Sequence, residues 1–352
     1  MKIADMLKVT TAGIDFAAYA SGDNSIEVSS HGKEFFHLGH IRTAGFDGAL
    51  SLPEKLRCHR THDNLCAEFD SVSVIPFGCE YHVKRHWTLF SNIALLNCDI
   101  AADNGGTIRD LELEPVEFML DAEKIEFRLA GEKSIRSVGK PSGEIYNGNA
   151  LVLMLRVTDK CGIQAEYICG DDLWRHQAAG KLEGVSANYQ ISVDNGKTIL
   201  TRKVLIASEE AVMEKRPWKF KSIFSWRDPK CEPIRCEDDP AAIDNFTIPG
   251  CFASSAAHRE LRKVVRAAGS GRTLVMQGEF PVICHDPAHL ERPAKNPVEH
   301  SDLGAAALDY LWANRELAKR GSRLIMESNS TLYGDSVVLS NLGNPITEFE
   351  EE

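Results

Sequence analysis

The run Tyr81-His82-Val83-Lys84-Arg85-His86-Trp87 packs two imidazoles, an ammonium, a guanidinium and two aromatic rings into seven positions. On a strand, alternation sets His82, Lys84 and His86 on one face and Tyr81, Val83, Arg85 and Trp87 on the other. Aromatic faces stack on sugar C–H surfaces, and guanidinium and imidazole groups reach hydroxyl or carboxylate oxygens, so the run suits a hydroxyl-rich or acidic sugar. A solvated sheet face with a half-buried tryptophan accounts for the same residues equally well.

A second run, Asp171-Asp172-Leu173-Trp174-Arg175-His176, follows a strand candidate. Carboxylates beside His176 and Trp174 suit acid–base work at a glycosidic or hemiacetal carbon, where one group must hold a proton and another must not. Neighbouring carboxylates on an extended chain point to opposite faces, however, so without a turn they cannot serve one substrate together, and a structural role is the stronger reading of that pair.

Thiols and imidazoles recur at His37, His40, Cys58, His59, His62, Cys66, Cys79 and His82, with Asp63 and Glu80 among them. Zinc or iron selects such ligands. There is no Cys-x-x-Cys pair and no His-Glu-x-x-His, so no metal and no cofactor is assigned. Cys284-His285-Asp286 with His289 offers a general base in a Pro-rich stretch, but reads first as a solvated turn beginning at Asp286-Pro287. His258, Arg259, Arg262, Lys263 and Arg266 form a basic helical face that could meet a phosphate; such faces are more often wet or paired with acids. Phosphate-loop, dinucleotide-binding and nucleophile-elbow motifs are absent.

The elements that must carry these residues are mostly strands. Alternating segments run over Phe69 to Ile75, Glu80 to Leu89, Ile93 to Ala101, Ile108 to Leu113, Lys124 to Leu129, Leu151 to Val157 and Ile163 to Cys169. Ile125, Phe127 and Leu129 alternate with Glu126 and Arg128, as in a sheet with one wet face. Tyr189 to Val193, Asp194-Asn195-Gly196 and Thr198 to Ile206 predict a tight hairpin, because Asn-Gly supplies the positive φ of a primed turn. Many sequential strands without a helical period between them predict a mainly β fold, an antiparallel β-sandwich over 1–227.

Residues 228–250 turn to Asp, Glu, Pro and Cys and read as a connection. Beyond it, 251–352 is an α+β portion, a second domain or a helical flank on the sandwich. One helix is predicted over Ala256 to Ala268, capped by Ser254-Ser255, and another over Ser301 to Lys319. Each precedes a strand candidate, Arg272 to Met276 and Arg323 to Met326. The passages Gly-Ser-Gly-Arg-Thr-Leu-Val-Met and Gly-Ser-Arg-Leu-Ile-Met read either as a degenerate repeat or as a chance match.

The formal charge of −11 disfavours a general nucleic-acid partner or a protein held to an anionic membrane by its overall field. No stretch reaches the roughly 18 apolar residues of a membrane span. The opening MKIADMLKVTTAGIDFAAY lacks the apolar core of a signal peptide, so the chain is expected in the cytoplasm with its ten cysteines as free thiols.

His82-Val83-Lys84-Arg85-His86-Trp87-Thr88-Leu89-Phe90, then Ile100, then Asp103-Asn104-Gly105-Gly106-Thr107-Ile108, resembles the early strands of galactose mutarotase-like supersandwich proteins. The resemblance covers about thirty residues. It implies a sandwich of supersandwich type whose relatives are sugar epimerases, domains of glycoside hydrolases or polysaccharide lyases, or carbohydrate binders. The histidine acid and glutamate base of the mutarotases do not align, since His176 lacks the aromatic-Asn context and neither Glu279 nor Glu327 sits in a matching one. The leading expectation is recognition, and conversion if catalytic, of a carbohydrate or acidic sugar, a small molecule or an oligosaccharide. Arg85 and His82 would hold oxygens, Trp174 would stack, and His86 or His176 would transfer a proton. A noncatalytic structural or assembly protein, a homo-oligomer with subunit contacts through sheet edges and C-terminal helices, is the alternative; a metal-dependent enzyme is third.

Overall fold

The structure is a computed structural model. It describes residues 6–11, 14–19, 26–30, 32–39, 52–60, 66–77, 79–90, 92–102, 111–129, 132, 134–169, 185–206, 218–228, 242–247, 255–278, 312–313, 316–317 and 319–328. The chain divides into two compact units, Met1–Asp228 and Pro229–Glu352.

The first unit is an antiparallel β-sandwich. Sheet 1 comprises β1 (Met6–Thr11), β2 (Ile14–Tyr19), β3 (Ile26–Ser30), β4 (Lys33–Leu38), β9 (Leu111–Glu112), β10 (Val116–Phe118), β13 (Gly143–Gly148), β16 (Val185–Asp194) and β17 (Lys197–Ile206). Its order is β1-β2-β3-β4-β10-β17-β16-β13, with β9 also on β17. Sheet 2 comprises β5 (Leu52–Arg60), β6 (Cys66–Phe77), β7 (Cys79–Phe90), β8 (Ile93–Ala102), β11 (Lys124–Leu129), β12 (Arg136–Gly139), β14 (Val152–Thr158), β15 (Gln164–Cys169) and β18 (Trp218–Arg227). Its order is β12-β11-β14-β15-β18-β8-β7-β6-β5.

Aromatic side chains join the two sheets. Phe36 of sheet 1 meets Phe224 edge-on at 5.2 Å between ring centres, and Phe35 stacks on Trp226 at 5.4 Å. Within sheet 2, Trp87 and Tyr167 flank Phe224 at 6.0 and 5.8 Å. These rings contribute large apolar areas and preferred edge or offset contacts, which fix the inner face of each strand. The predicted hairpin is β16–β17, paired from Val185↔Ile206 to Asp194↔Lys197. Its turn residues Asn195 and Gly196 have φ of 50° and 82°, the left-handed geometry that Asn-Gly tolerates.

The second face of sheet 2 is drier than alternation suggests. Leu95, Ile168 and Ile223, one row away from the inward Phe224 row, are buried. Arg128, on the expected wet face of β11, is 3% exposed and donates Nη2 to the Glu132 carbonyl at 2.8 Å. Alternating Glu and Arg on β11 mark a largely enclosed polar row, because over this part of the sheet the second face also loses most of its water.

The second unit is α/β. Parallel strands β19 (Ile243–Thr247), β20 (Thr273–Gly278) and β21 (Arg323–Ser328) form a sheet in that order, with helix α1 (Ser255–Ala267) between β19 and β20. β19 lies inside the stretch expected to be only a connection. The two repeat-like passages lie side by side, Thr273↔Arg323 through Gly278↔Ser328. Ser322 Oγ accepts from Arg272 N and donates to the Gly269 carbonyl, both at 2.9 Å, so the turns before β20 and β21 clasp each other. Leu261 and Val265 of α1, with Leu274, Leu324, Ala313 and Leu317, are buried. Residues 312–313 and 316–317 are helical, within the expected second helix.

Candidate functional site

β7 sets its alternate side chains in two different environments. Arg85 and Trp87 face the sandwich interior, 5% and 1% exposed. Arg85 Nε donates to Glu114 Oε1 at 2.7 Å. Glu114, between β9 and β10, is 2% exposed, and its Oε2 lies 3.9 Å from Nη2 of Arg202 on β17. Arg202 Nη2 also donates to the Glu114 carbonyl at 3.3 Å, and Nη1 donates to Tyr167 Oη and Ser222 Oγ, each at 3.0 Å. The Arg202 guanidinium also stands over the Tyr167 ring, 5.3 Å from its centre.

Burial works against the Arg85 charge, but the adjacent Glu114 carboxylate outweighs it and holds the guanidinium above its usual range. Cys98, opposite Arg85 on β8, is pushed strongly upward by burial and then by Glu114, so it stays a thiol and is no nucleophile. The Arg85–Glu114–Arg202 group ties β7 of one sheet to β17 of the other.

The opposite face of β7 is open. Lys84 is exposed and His86 partly so, and β8 pairs Asn97 with His86 and Asp99 with Lys84, both partly exposed. Neighbouring strands lie about 4.8 Å apart and alternate residues about 6.8 Å apart along a strand, so an imidazole, an ammonium, an amide and a carboxylate share one small patch. Register extends the rows to Asp70 of β6 opposite His86 and to Lys221 of β18 opposite Asn97. Farther along the same sheet the polar groups close up. Arg156 Nε donates to Glu166 Oε2 at 2.9 Å and its Nη1 lies 3.6 Å from Glu126 Oε2, with Glu166 wholly buried.

Of the residues expected at the site, Arg85 and His86 therefore stand on opposite faces of one strand. His82 lies on β7 with its backbone opposite Val74 and Ala101, its side chain outside the described residues. Trp174 and His176 lie outside the described residues. His37, among the candidate metal ligands, is on β4 of sheet 1, where Nδ1 lies 3.2 Å from Glu117 Oε2; Cys58, Cys66 and Cys79 are on strands of sheet 2. Among the described residues no group of three or more His, Cys, Asp or Glu could hold a metal ion, and no helix is long and apolar enough to cross a membrane.

Glu114, Arg202, Asn97 and Asp99 were not singled out by sequence. Asn97 and Asp99 had a visible signal, since they alternate with Leu96 and Cys98. Glu114 and Arg202 had none, because their partnership depends on how two sheets face each other.

The chain is thus a two-unit protein with an antiparallel β-sandwich and a parallel α/β unit. No family model matches the sequence, and no curated protein matches it. Among solved structures it is similar to a protein from Salmonella typhimurium bearing the provisional name of mutarotase, with 7% identity, a TM-score of 0.42, and coverage of 64% of this chain and 91% of that one. It is similar to a provisionally named aldose 1-epimerase from Escherichia coli K12, at 9% identity and a TM-score of 0.40, covering 64% of this chain and 99% of that one. An alpha-N-acetylgalactosaminidase from Bifidobacterium bifidum is similar over 91% of this chain and 58% of its own length, at 11% identity and a TM-score of 0.43.

Proposed function

We propose that the chain recognises a carbohydrate or acidic sugar on the open face of β7 and β8. The supporting observation is the register that sets His86 beside Asn97 and Lys84 beside Asp99 with all four reaching solvent. Such a mixture donates to and accepts from hydroxyl groups, and the ammonium favours a carboxylate. His86 is the residue suited to proton transfer if the ligand is converted, since an imidazole offers both a donor and an acceptor nitrogen. His82 belongs to the same strand, His176 is a second proton-transfer candidate and Trp174 a stacking one. Arg85, enclosed with Glu114, serves by holding β7 in place. The names of the similar proteins, mutarotase, epimerase and glycosidase, lend the sugar reading general support.

The test is thermal unfolding against neutral sugars, uronic acids and sugar phosphates. A ligand at a hundred times its dissociation constant stabilises by about 2.7 kcal/mol. One sugar class should raise the midpoint in the wild type, and His86→Ala with Asn97→Ala should abolish the rise. A flat panel, or a rise that survives both substitutions, would overturn the proposal and favour a noncatalytic assembly role.

A further inference from the structure

The α/β unit carries a concentrated positive face that the sugar proposal does not use. Arg259, Arg262, Lys263 and Arg266 recur along α1 at the spacing of one helical face and, with Ala267, line an open concavity of about 550 Å³. The row is about 10 Å long at 1.5 Å rise per residue. Its opposite side is apolar, where Leu261 and Val265 are buried.

Among the described residues these cations are poorly compensated, although the chain carries 51 acidic residues against 40 basic ones. Lys263 has Glu260 at 3.4 Å, an exposed pair of little strength. Arg262 lies over the Trp312 ring at 5.1 Å from its centre, which fixes its guanidinium plane, and its buried Nε has no hydrogen-bond partner among the described residues. No ion pair or side-chain hydrogen bond joins Arg259 or Arg266 to any of the described residues. Like charges three and four apart weaken a helix, and the first turn of α1 carries no acidic residue to offset them.

We propose that this face binds a small ligand carrying two or more phosphate groups. Guanidinium forks match phosphate oxygens in pairs, and three arginines with a lysine can meet adjacent phosphates at once. The concavity has the size of a small-molecule site. A duplex nucleic acid fits less well, because a 10 Å row meets few of its phosphates while the net charge of −11 repels the rest. The proposal is independent of the β7–β8 face.

The experiment is calorimetric titration of the full chain at about 50 mM salt, where surface charges act with little screening. The probes are inorganic tripolyphosphate, ADP and orthophosphate. Tripolyphosphate and ADP should bind, orthophosphate at least tenfold more weakly. Arg259→Ala and Arg266→Ala should each weaken tripolyphosphate roughly tenfold, the size of one charge-assisted hydrogen bond, and together about a hundredfold. Both side chains are exposed, so the unfolding midpoint should not fall, and Arg266→Lys should lose less affinity than Arg266→Ala. The pair Lys160→Ala and Lys203→Ala, which removes the same charge from the other unit, should leave binding unchanged. Absence of tripolyphosphate binding, equal losses in the two double variants, or a short DNA duplex that outcompetes tripolyphosphate would overturn the proposal.

Discussion

Glu114 serves two guanidinium groups in an interior almost closed to water, so removing its charge takes a carboxylate from both Arg85 and Arg202. Glu114→Gln should cost about 3–5 kcal/mol in urea unfolding, the usual penalty for removing one partner of a buried ion pair. Arg85→Met combined with Glu114→Gln should cost less than the sum of the two single changes, because the partners are coupled. Glu34 makes the opposite case. Burial, and then the neighbouring Glu27 carboxylate, raise its pKa, so the fold disfavours the ionised form. The destabilisation that Glu34 contributes should therefore fade as pH falls through its raised folded value and be gone below about 4.3, the ordinary glutamate value. Glu34→Gln should raise the unfolding midpoint at pH 7, and that advantage should vanish in acid; an equal advantage at both pH values would contradict the assignment. Arg85 shows where sequence stops at this scale. Its type marked it as important, but whether an arginine meets a ligand or a carboxylate depends on Glu114, 29 residues downstream and reached from the other sheet.

Strand β7 shows the same division at the scale of an element. Trp87→Ala should cost about 3–5 kcal/mol, as for other buried aromatics, whereas His86→Ala on the open face should stay within about 0.5 kcal/mol. Comparable losses at the two positions, measured by urea unfolding, would show that the faces are wrongly assigned. At the β16–β17 turn, Gly196 has φ of 82°, and an added Cβ would stand 3.0 Å from Asp121 Oδ1. Gly196→Ala should therefore cost about 1–2 kcal/mol, from the left-handed backbone alone. Elements of this kind were legible, because Asn-Gly and alternating polarity are local signals. β12 and β13 were not, since their exposed, Gly-containing segments bury no consistent face. β19 was hidden by Pro and Asp residues around it, and only its parallel pairing with β20 identifies it as a strand. The matching passages leading into β20 and β21 lie side by side in register, which gives their similarity a structural basis in equivalent positions of adjacent strands.

Across the whole molecule, the pairings that close the sandwich are remote in sequence. β8 pairs with β18 from Trp218↔Ile100 to Ser225↔Ile93, and β4 pairs with β10 across Leu38↔Val116. Local alternation announces the strands but carries no information about these partners, which is why a sandwich was legible and its strand order was not. Both nine-stranded sheets are nevertheless built wholly from residues before Asp228, and the parallel sheet wholly from residues after it. A fragment ending at Asp228 therefore retains every strand pair of the sandwich, along with the Phe36 contacts to Phe224 and Trp226 that join its sheets and the Trp87–Phe224 contact within one of them. It should keep a β-type far-ultraviolet spectrum, unfold cooperatively in urea with Trp87 and Trp226 buried at the start, and refold more slowly than a helical protein of its size, because remote pairings pay loop-closure entropy before they are rewarded. Loss of the cooperative transition in the fragment would mean that residues beyond Asp228 are needed to hold the sandwich together.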